Sequence, residues 1–206
     1  MSCFITRLLY ERKRQEFLER VEELKDENTI YVTELISCPQ KRVYRISFPE
    51  LTFKFDPHLL LGEMAHVGLQ SYLSQAGFEV EKEIEEGVEV EGRVFKVKGR
   101  IDAYSENLIV EIKTGRPGQR LPQAHHVLQT KIYLLMTGAQ RGILVYLTSD
   151  RLVEYQVDYD ESLELGSLVV EYLREGKIPR WEWECRYCVF NKICPYTVSQ
   201  QATPKG

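Results

Sequence analysis

Three groups of residues have side chains that can do chemistry. The first is Gly99-Arg100-Ile101-Asp102, followed after eight intervening residues by Glu111-Ile112-Lys113. On a strand, Glu111 and Lys113 share a face while Ile112 points into the core. With a two-residue turn at Glu106-Asn107, Asp102 stands opposite Glu111, and opposed side chains have Cβ atoms about 4.5–5.5 Å apart. Two like charges so placed repel. A divalent cation reverses the sign, and Mg²⁺ or Mn²⁺ prefers hard oxygen ligands of this kind. Lys113 can then orient a water or stabilise charge developing on a phosphate. On the same polar face Lys96, Lys98 and Arg100 can hold a phosphate backbone. A Glu-x-Lys alone is the ordinary pattern of a solvated sheet face. The cross-strand Asp102 is what turns it toward a metal.

The second group lies on helices. Gly62 and His66 are four residues apart and share a face. Glycine lets a neighbouring backbone approach closely, and His66 can serve as a nitrogen ligand of the same metal, although an isolated histidine is more often a hydrogen-bonded core residue. Gln129 and Tyr133 are also four apart, with His126 on roughly the same face. Gln129 can position water or nucleic acid and Tyr133 can contact phosphate; each residue, taken singly, also fits a packed core.

The third group is Cys185-x₂-Cys188-x₅-Cys194-Pro195. Three thiolates need a fourth to complete a tetrahedral or cubane set. Cys3 sits near a chain end, where segments tend to be mobile. Cys38, in Ser37-Cys38-Pro39, is the better-placed partner. Four thiolates do not by themselves separate zinc from iron–sulfur.

These residues need elements to position them. A charged helix with Ile5, Leu8, Leu9, Phe17, Leu18, Val21 and Leu24 at helical spacing is expected over about 5–27. A second helix is expected from Thr33 through Cys38-Pro39 to about Arg45, unless the proline restarts it. A third runs from Pro57 to Gln75, between Asp56 and Gly77. The period then changes to two, giving a hairpin around Gly92-Arg93, a strand from Val94 and another over 108–113. A helix over about 119–137, strands at 142–148 and 151–157, and a helix over about 160–175 complete the order. That order predicts an α/β fold with a mixed central sheet flanked by helices. The expected divisions are an N-terminal amphipathic helix (1–30), a catalytic domain (31–180) and a cysteine-rich segment (181–206).

At 206 residues and 28% charged content, the chain has the size and composition of an ordinary globular protein. Its net charge of −4 gives no global basic footprint for nucleic acid. Bound metal and local basic patches can supply that charge instead. No apolar run reaches the ~18 residues that span a bilayer. The start lacks a cleavable apolar leader, so no membrane association and a cytoplasmic location are expected. Five cysteines make an odd count that does not suggest a disulfide framework. The first helix makes a homo-oligomer conceivable.

His66, Asp102, Glu111-Ile112-Lys113 and Gln129-x₃-Tyr133 follow the order and spacing of the RecB-like branch of the PD-(D/E)XK nucleases. One cysteine before that core and three after it resemble the iron–sulfur members, which include the AddB nuclease domain. No G-x₄-G-K-[ST] motor motif is present. The chain therefore looks like the CRISPR-associated RecB-like exonucleases, matched over roughly residues 30–197. The resemblance implies a PD-(D/E)XK core with a small iron–sulfur-bound cap made by the N-terminal region and the C-terminal tail. It implies metal on His66, Asp102 and Glu111, a catalytic Lys113, and Gln129 and Tyr133 as branch-specific site residues. It implies a [4Fe–4S] cluster on Cys38, Cys185, Cys188 and Cys194. The implied substrate is DNA, single-stranded or with overhangs, trimmed before CRISPR spacer insertion. The implied partners are the CRISPR integrase and its small companion protein. The rival readings are a non-catalytic DNA-binding adaptor of the integrase complex, a RecB-like repair nuclease with structural zinc, a redox-switched nuclease, and a restriction-type endonuclease.

Overall fold

The computed structural model describes residues 3–174 and 177–198. The chain divides into two compact units. The larger spans Asn28–Ile36 and Lys54–Val169; the smaller spans Met1–Glu27, Ser37–Phe53 and Val170–Gly206, within the described residues.

The larger unit is built on a six-stranded mixed sheet. Strands β1 (Thr29–Tyr31), β2 (Glu79–Val90), β3 (Arg93–Ser105), β4 (Leu108–Thr114), β5 (Arg141–Leu147) and β6 (Leu152–Asp158) run in the order β1-β3-β4-β5-β6, with β2 also on β3. The β2–β3 hairpin turns at Glu91-Gly92, both at positive φ (53° and 77°), one residue earlier than the sequence suggested. Two positive φ values match the twist of a two-residue hairpin. The β3–β4 turn falls at Glu106-Asn107, as expected, with Glu106 at φ 46°. β4 and β5 are parallel, so a helix must carry the chain across.

Two of the helices in this unit flank the site. α4 covers Pro57–Gln75, the expected span, and its Asp56 cap accepts from the His58 N–H at 2.8 Å. (The intervening helices are α1 at Phe4–Glu23, α2 at Val32–Leu35 and α3 at Gln40–Ser47.) Leu69 and Leu73 of α4 pack on Ala103, Val110, Ile112 and Val145, the apolar cluster that Ile112 was expected to join. α5 covers Ala124–Thr137 and ends at Gly138 in the left-handed region, φ 70°. It starts later than the expected residue 119. Pro122 disfavours helical φ/ψ at Leu121, so the helix begins beyond it.

The smaller unit combines the long helix α1 with short pieces. The expected second helix is two helices, α2 and α3, as the restart at proline allowed. Tyr31 N–H donates to Glu34 Oε2 at 3.0 Å, closing α2 at its start. Only α3 belongs to the smaller unit, with a 3₁₀ turn at Pro49–Thr52 and α7 at Glu184–Tyr187. α1 buries none of its side chains, because its apolar residues are not gathered on one face. Tyr10 and Phe17 meet Phe53 edge-on, at 5.5 and 5.4 Å between ring centres. The helix expected over 160–175 is α6, Leu165–Leu173. Asp160 accepts from Ser162 N–H at 3.1 Å, a local turn that competes with helix. Residues 175–176 and the tail from 199 lie outside the described residues, as do residues 1–2. Among the described residues no helix is long and apolar enough to cross a membrane.

Candidate functional site

The carboxylates converge through sheet register. The β3–β4 ladder pairs Ser105 with Leu108, Tyr104 with Ile109 and Ala103 with Val110. The next row in that register is Asp102 opposite Glu111, but there the ladder stops. Asp102 instead turns its carboxylate onto β4, and Oδ2 accepts the Ile112 N–H at 2.7 Å. His66 Nδ1 on α4 lies 3.4 Å from Asp102 Oδ1. α4 comes close because residue 62 is glycine: a Cβ there would meet Thr114 Oγ1, at the end of β4, at 2.8 Å.

Glu111 is 2% exposed. Its Oε1 accepts from Lys113 Nζ. Its Oε2 is buried with no hydrogen-bond partner. Burial pushes its carboxyl up to about 7; Lys113 and His66 pull it down, and Asp102 adds to the rise. Each of the three neighbours acts electrostatically on this carboxylate. Burying an unpaired carboxylate oxygen is costly. A cation beside it would remove that cost. Oxygen and imidazole donors suit a hard divalent ion. Among the described residues, no three His, Cys, Asp or Glu side chains are gathered tightly enough to be a ready-made metal set. The Lys113 ammonium partners Oε1 and leaves Oε2 open.

Gln129 and Tyr133 are buried, at 4% and 2% exposed. Gln129 Nε2 donates to the Tyr133 hydroxyl at 3.1 Å. The same hydroxyl interacts with the Arg100 backbone, and burial followed by Glu111 pushes its pKa up. Tyr133 lies over Gly99, where a Cβ would sit 2.6 Å from its ring. These two residues brace β3 beside Asp102. His126 is held neutral, with its pKa pushed down to about 2 by burial, Lys113 and His125. Its Nδ1 lies 2.9 Å from the Tyr146 hydroxyl, and Tyr146 is in register with Lys113. Tyr146 gave no signal in the sequence, since an aromatic on a buried strand reads as core. The basic stripe is less free than expected. Lys96 and Lys98 pair with Glu85 at 3.2 and 3.6 Å, and Arg100 with Glu81 at 2.7 Å. β2 supplies these glutamates from the strand opposite.

In the smaller unit one cavity is lined by Cys38, Cys185, Cys188 and Cys194, with Tyr44, Phe190 and Glu184 among the other walls. Its empty volume, the open mouth included, is about 350 Å³. All four thiols are free. Burial, then Glu184, pushes the Cys38 thiol up while Gln40 and Lys41 oppose it. A metal repays such a cost by binding the thiolate. The donor chemistry fits a thiolate-ligated metal or cluster. Cys3 is exposed and does not line the cavity. Glu184, which sequence reasoning missed, is 2% exposed and ties the cysteine segments together. Its Oε1 accepts from Cys38 N–H at 3.1 Å and Lys41 Nζ at 2.6 Å, and Oε2 accepts from Trp181 N–H at 3.0 Å.

Comparison with known proteins bears on both units. Residues 41–195 match the PD-(D/E)XK nuclease superfamily. The chain is 41% identical over 205 residues to the CRISPR-associated exonuclease Cas4 of Saccharolobus solfataricus, covering 93% of this chain and 98% of that one. The crystal structure of SSO0001 superposes with a TM-score of 0.87 at 37% identity, covering 97% of this chain and 100% of that one. With matches that reach both units and a carboxylate–lysine site in the larger one, the chain belongs to the CRISPR-associated Cas4 nucleases of the PD-(D/E)XK superfamily.

Proposed function

We propose that this protein is a metal-dependent DNA exonuclease that carries a structural [4Fe–4S] cluster and processes single strands or overhangs for CRISPR spacer acquisition. The observation that carries the catalytic reading is Glu111 Oε2, a buried acceptor with no partner beside Asp102, Lys113 and His66. His66, Asp102 and Glu111 would hold Mg²⁺ or Mn²⁺. Such an ion polarises a phosphate oxygen and lowers the pKa of a bound water. Asp102 is held toward β4 by the Ile112 amide, which fixes one carboxylate oxygen and leaves the other facing His66. Lys113 neutralises Glu111 and is placed to stabilise charge on the scissile phosphate. Gln129 and Tyr133 keep the Asp102 strand in place from α5.

Cys38, Cys185, Cys188 and Cys194 would hold the cluster. Bound there, it cross-links segments 147 residues apart in the chain and stabilises chiefly by restricting the unfolded state. The name of the Saccharolobus relative supports the exonuclease activity and the CRISPR setting. In that setting the partners are the CRISPR integrase and its small companion protein.

The test is cleavage of end-labelled single-stranded DNA with Mn²⁺ or Mg²⁺. Progressive loss of terminal nucleotides is expected from the wild type and not from Glu111→Ala or Lys113→Ala. Wild-type rates in both variants would overturn the catalytic assignment. A purified protein with stoichiometric zinc and no iron or sulfide would replace the cluster with a zinc site, which the same four thiols suit.

A further inference from the structure

α4 buries a single side chain below a tenth exposure, and it is polar: Gln70, 7% exposed. A buried amide is tolerated only when its donors are satisfied. Gln70 lies one turn beyond His66, on the same face. Its Nε2 donates to the Asp102 backbone oxygen at 3.3 Å and to Glu81 Oε1.

Those acceptors lie at a break in the sheet. In the β2–β3 ladder Val80 pairs with Ala103 and Lys82 with Ile101, but the Glu81–Asp102 row between them is unpaired. Glu81 stands at φ 53°, a region non-glycine residues seldom adopt. The β3–β4 ladder stops at the same row. Asp102 therefore lies at a gap in the register with both neighbouring strands. Every buried backbone group needs a partner, and the Gln70 amide supplies one to the Asp102 carbonyl. Glu81 fixes that amide through Oε1, and its Oε2 is held by Arg100 Nε at 2.7 Å. Asp102 is thus gripped at three points: Ile112 N–H and His66 on its carboxylate, and Gln70 on its backbone.

We propose that Gln70 and Glu81 form a positioning pair that sets the Asp102 carboxylate for metal binding by holding its backbone carbonyl at the break in the sheet register. This rests on the reading of Asp102 as a metal ligand. Groups that orient a ligand from behind typically change metal affinity 10–100-fold when removed. The test measures the Mn²⁺ dissociation constant directly, from free Mn²⁺ by electron paramagnetic resonance, alongside thermal unfolding. Gln70→Leu keeps the volume but removes the donors. Glu81→Gly keeps the positive φ without strain but removes the acceptor. Both should weaken Mn²⁺ binding about tenfold or more. Glu81→Gln retains an acceptor for Gln70 and should stay within about threefold of wild type, a rescue that a purely structural role does not predict. Folded Gln70→Leu or Glu81→Gly binding Mn²⁺ like wild type would overturn the proposal. So would a loss in Glu81→Gln equal to that in Glu81→Gly. A Kd unchanged by Asp102→Ala points elsewhere: it would remove the metal reading of the site, and this inference with it.

Discussion

The two units solve opposite problems. In the larger one, the fold holds charges where they do not want to be. Asp102 and Glu111 are brought together by strand register, and Glu111 is buried with one oxygen unpartnered. The sheet around them is closed by its own ladders and by the apolar cluster under α4. In the smaller unit, short helices and a cavity wall bring together thiols from distant segments. Two hydrogen bonds to Glu184, from Cys38 N–H and Lys41 Nζ, tie those segments together, and a third from Trp181 N–H fixes Glu184 locally. On the proposed function, one unit gives up fold stability to prepare a cation site, and the other gains stability from the cluster that its thiols would hold.

Removing each bound group separately is the sharpest way to break this comparison. Stripping the cysteine ligands, by iron chelation under reducing conditions or by Cys188→Ala, should release the smaller unit. Thiolate metal sites contribute about 10–16 kcal/mol in small zinc domains, so the effect should be the largest of all. Hydrogen exchange is the measurement. The Cys188 and Cys194 amides, which donate to Cys185 O and Phe190 O, should lose protection. The β3–β4 amides should keep theirs. Equal loss in both units would erase the distinction.

The next effect is catalytic. Glu111→Ala or Lys113→Ala should lower the cleavage rate by about 10²–10³-fold or more, with no fall in the unfolding temperature. A parallel fall in stability would mean that Glu111 supports the fold and is not strained by it.

The strain itself has a pH signature. Burial raises the Glu111 carboxyl from its ordinary 4.5 to about 7 in the folded state. The folded protein therefore binds more protons than the unfolded one between these values. In the metal-free protein this contribution to stability is full below about 4.5 and is lost as pH rises through about 7. The difference corresponds to about 3 kcal/mol. Urea unfolding in EDTA should show Glu111→Gln gaining on the wild type between pH 5 and pH 8. A pH-independent gap would show that Lys113 fully compensates the charge.

Much of the larger unit was legible because its signals are local. α4 runs from Pro57 to Gln75 between a capping Asp56 and Gly77, and the Glu106-Asn107 turn fixes which carboxylates face each other. What stayed hidden is non-local. Nothing periodic marks Glu81 as the residue that breaks the ladder, or Glu184 as the anchor beside Cys185. Gln70 was reachable by the same four-residue spacing that picked out Gly62 and His66, but a glutamine on a helix ordinarily reads as solvated. The start of α5 was misplaced because Pro122 outweighs the periodicity before Ala124. The basic stripe of β3 was read without its partner strand, whose glutamates neutralise it.

The smallest of these effects tests how rigid the larger unit is. Gly99 lies on β3 three residues before Asp102, and three elements close around it. A Cβ there would sit 2.6 Å from Tyr133 Cε1, 3.1 Å from Val32 Cγ2 and 3.3 Å from Ile84 Cγ1. Tyr133 has no room to retreat, because it is buried and its hydroxyl is tied to Gln129. Overpacking of this kind costs about 1–3 kcal/mol. Gly99→Ala should lower the unfolding free energy measured in urea by that amount. Since Tyr133 braces the strand that carries Asp102, Mn²⁺ binding should weaken with it. Truncating the opposing ring in Gly99→Ala/Tyr133→Leu should recover part of the overpacking cost, so the two substitutions should be less than additive. Additive losses would show that the ring and the glycine are not in hard contact. The larger unit would then yield as readily as the smaller one, and the contrast in how the two hold their sites would fail on the side that looks most secure.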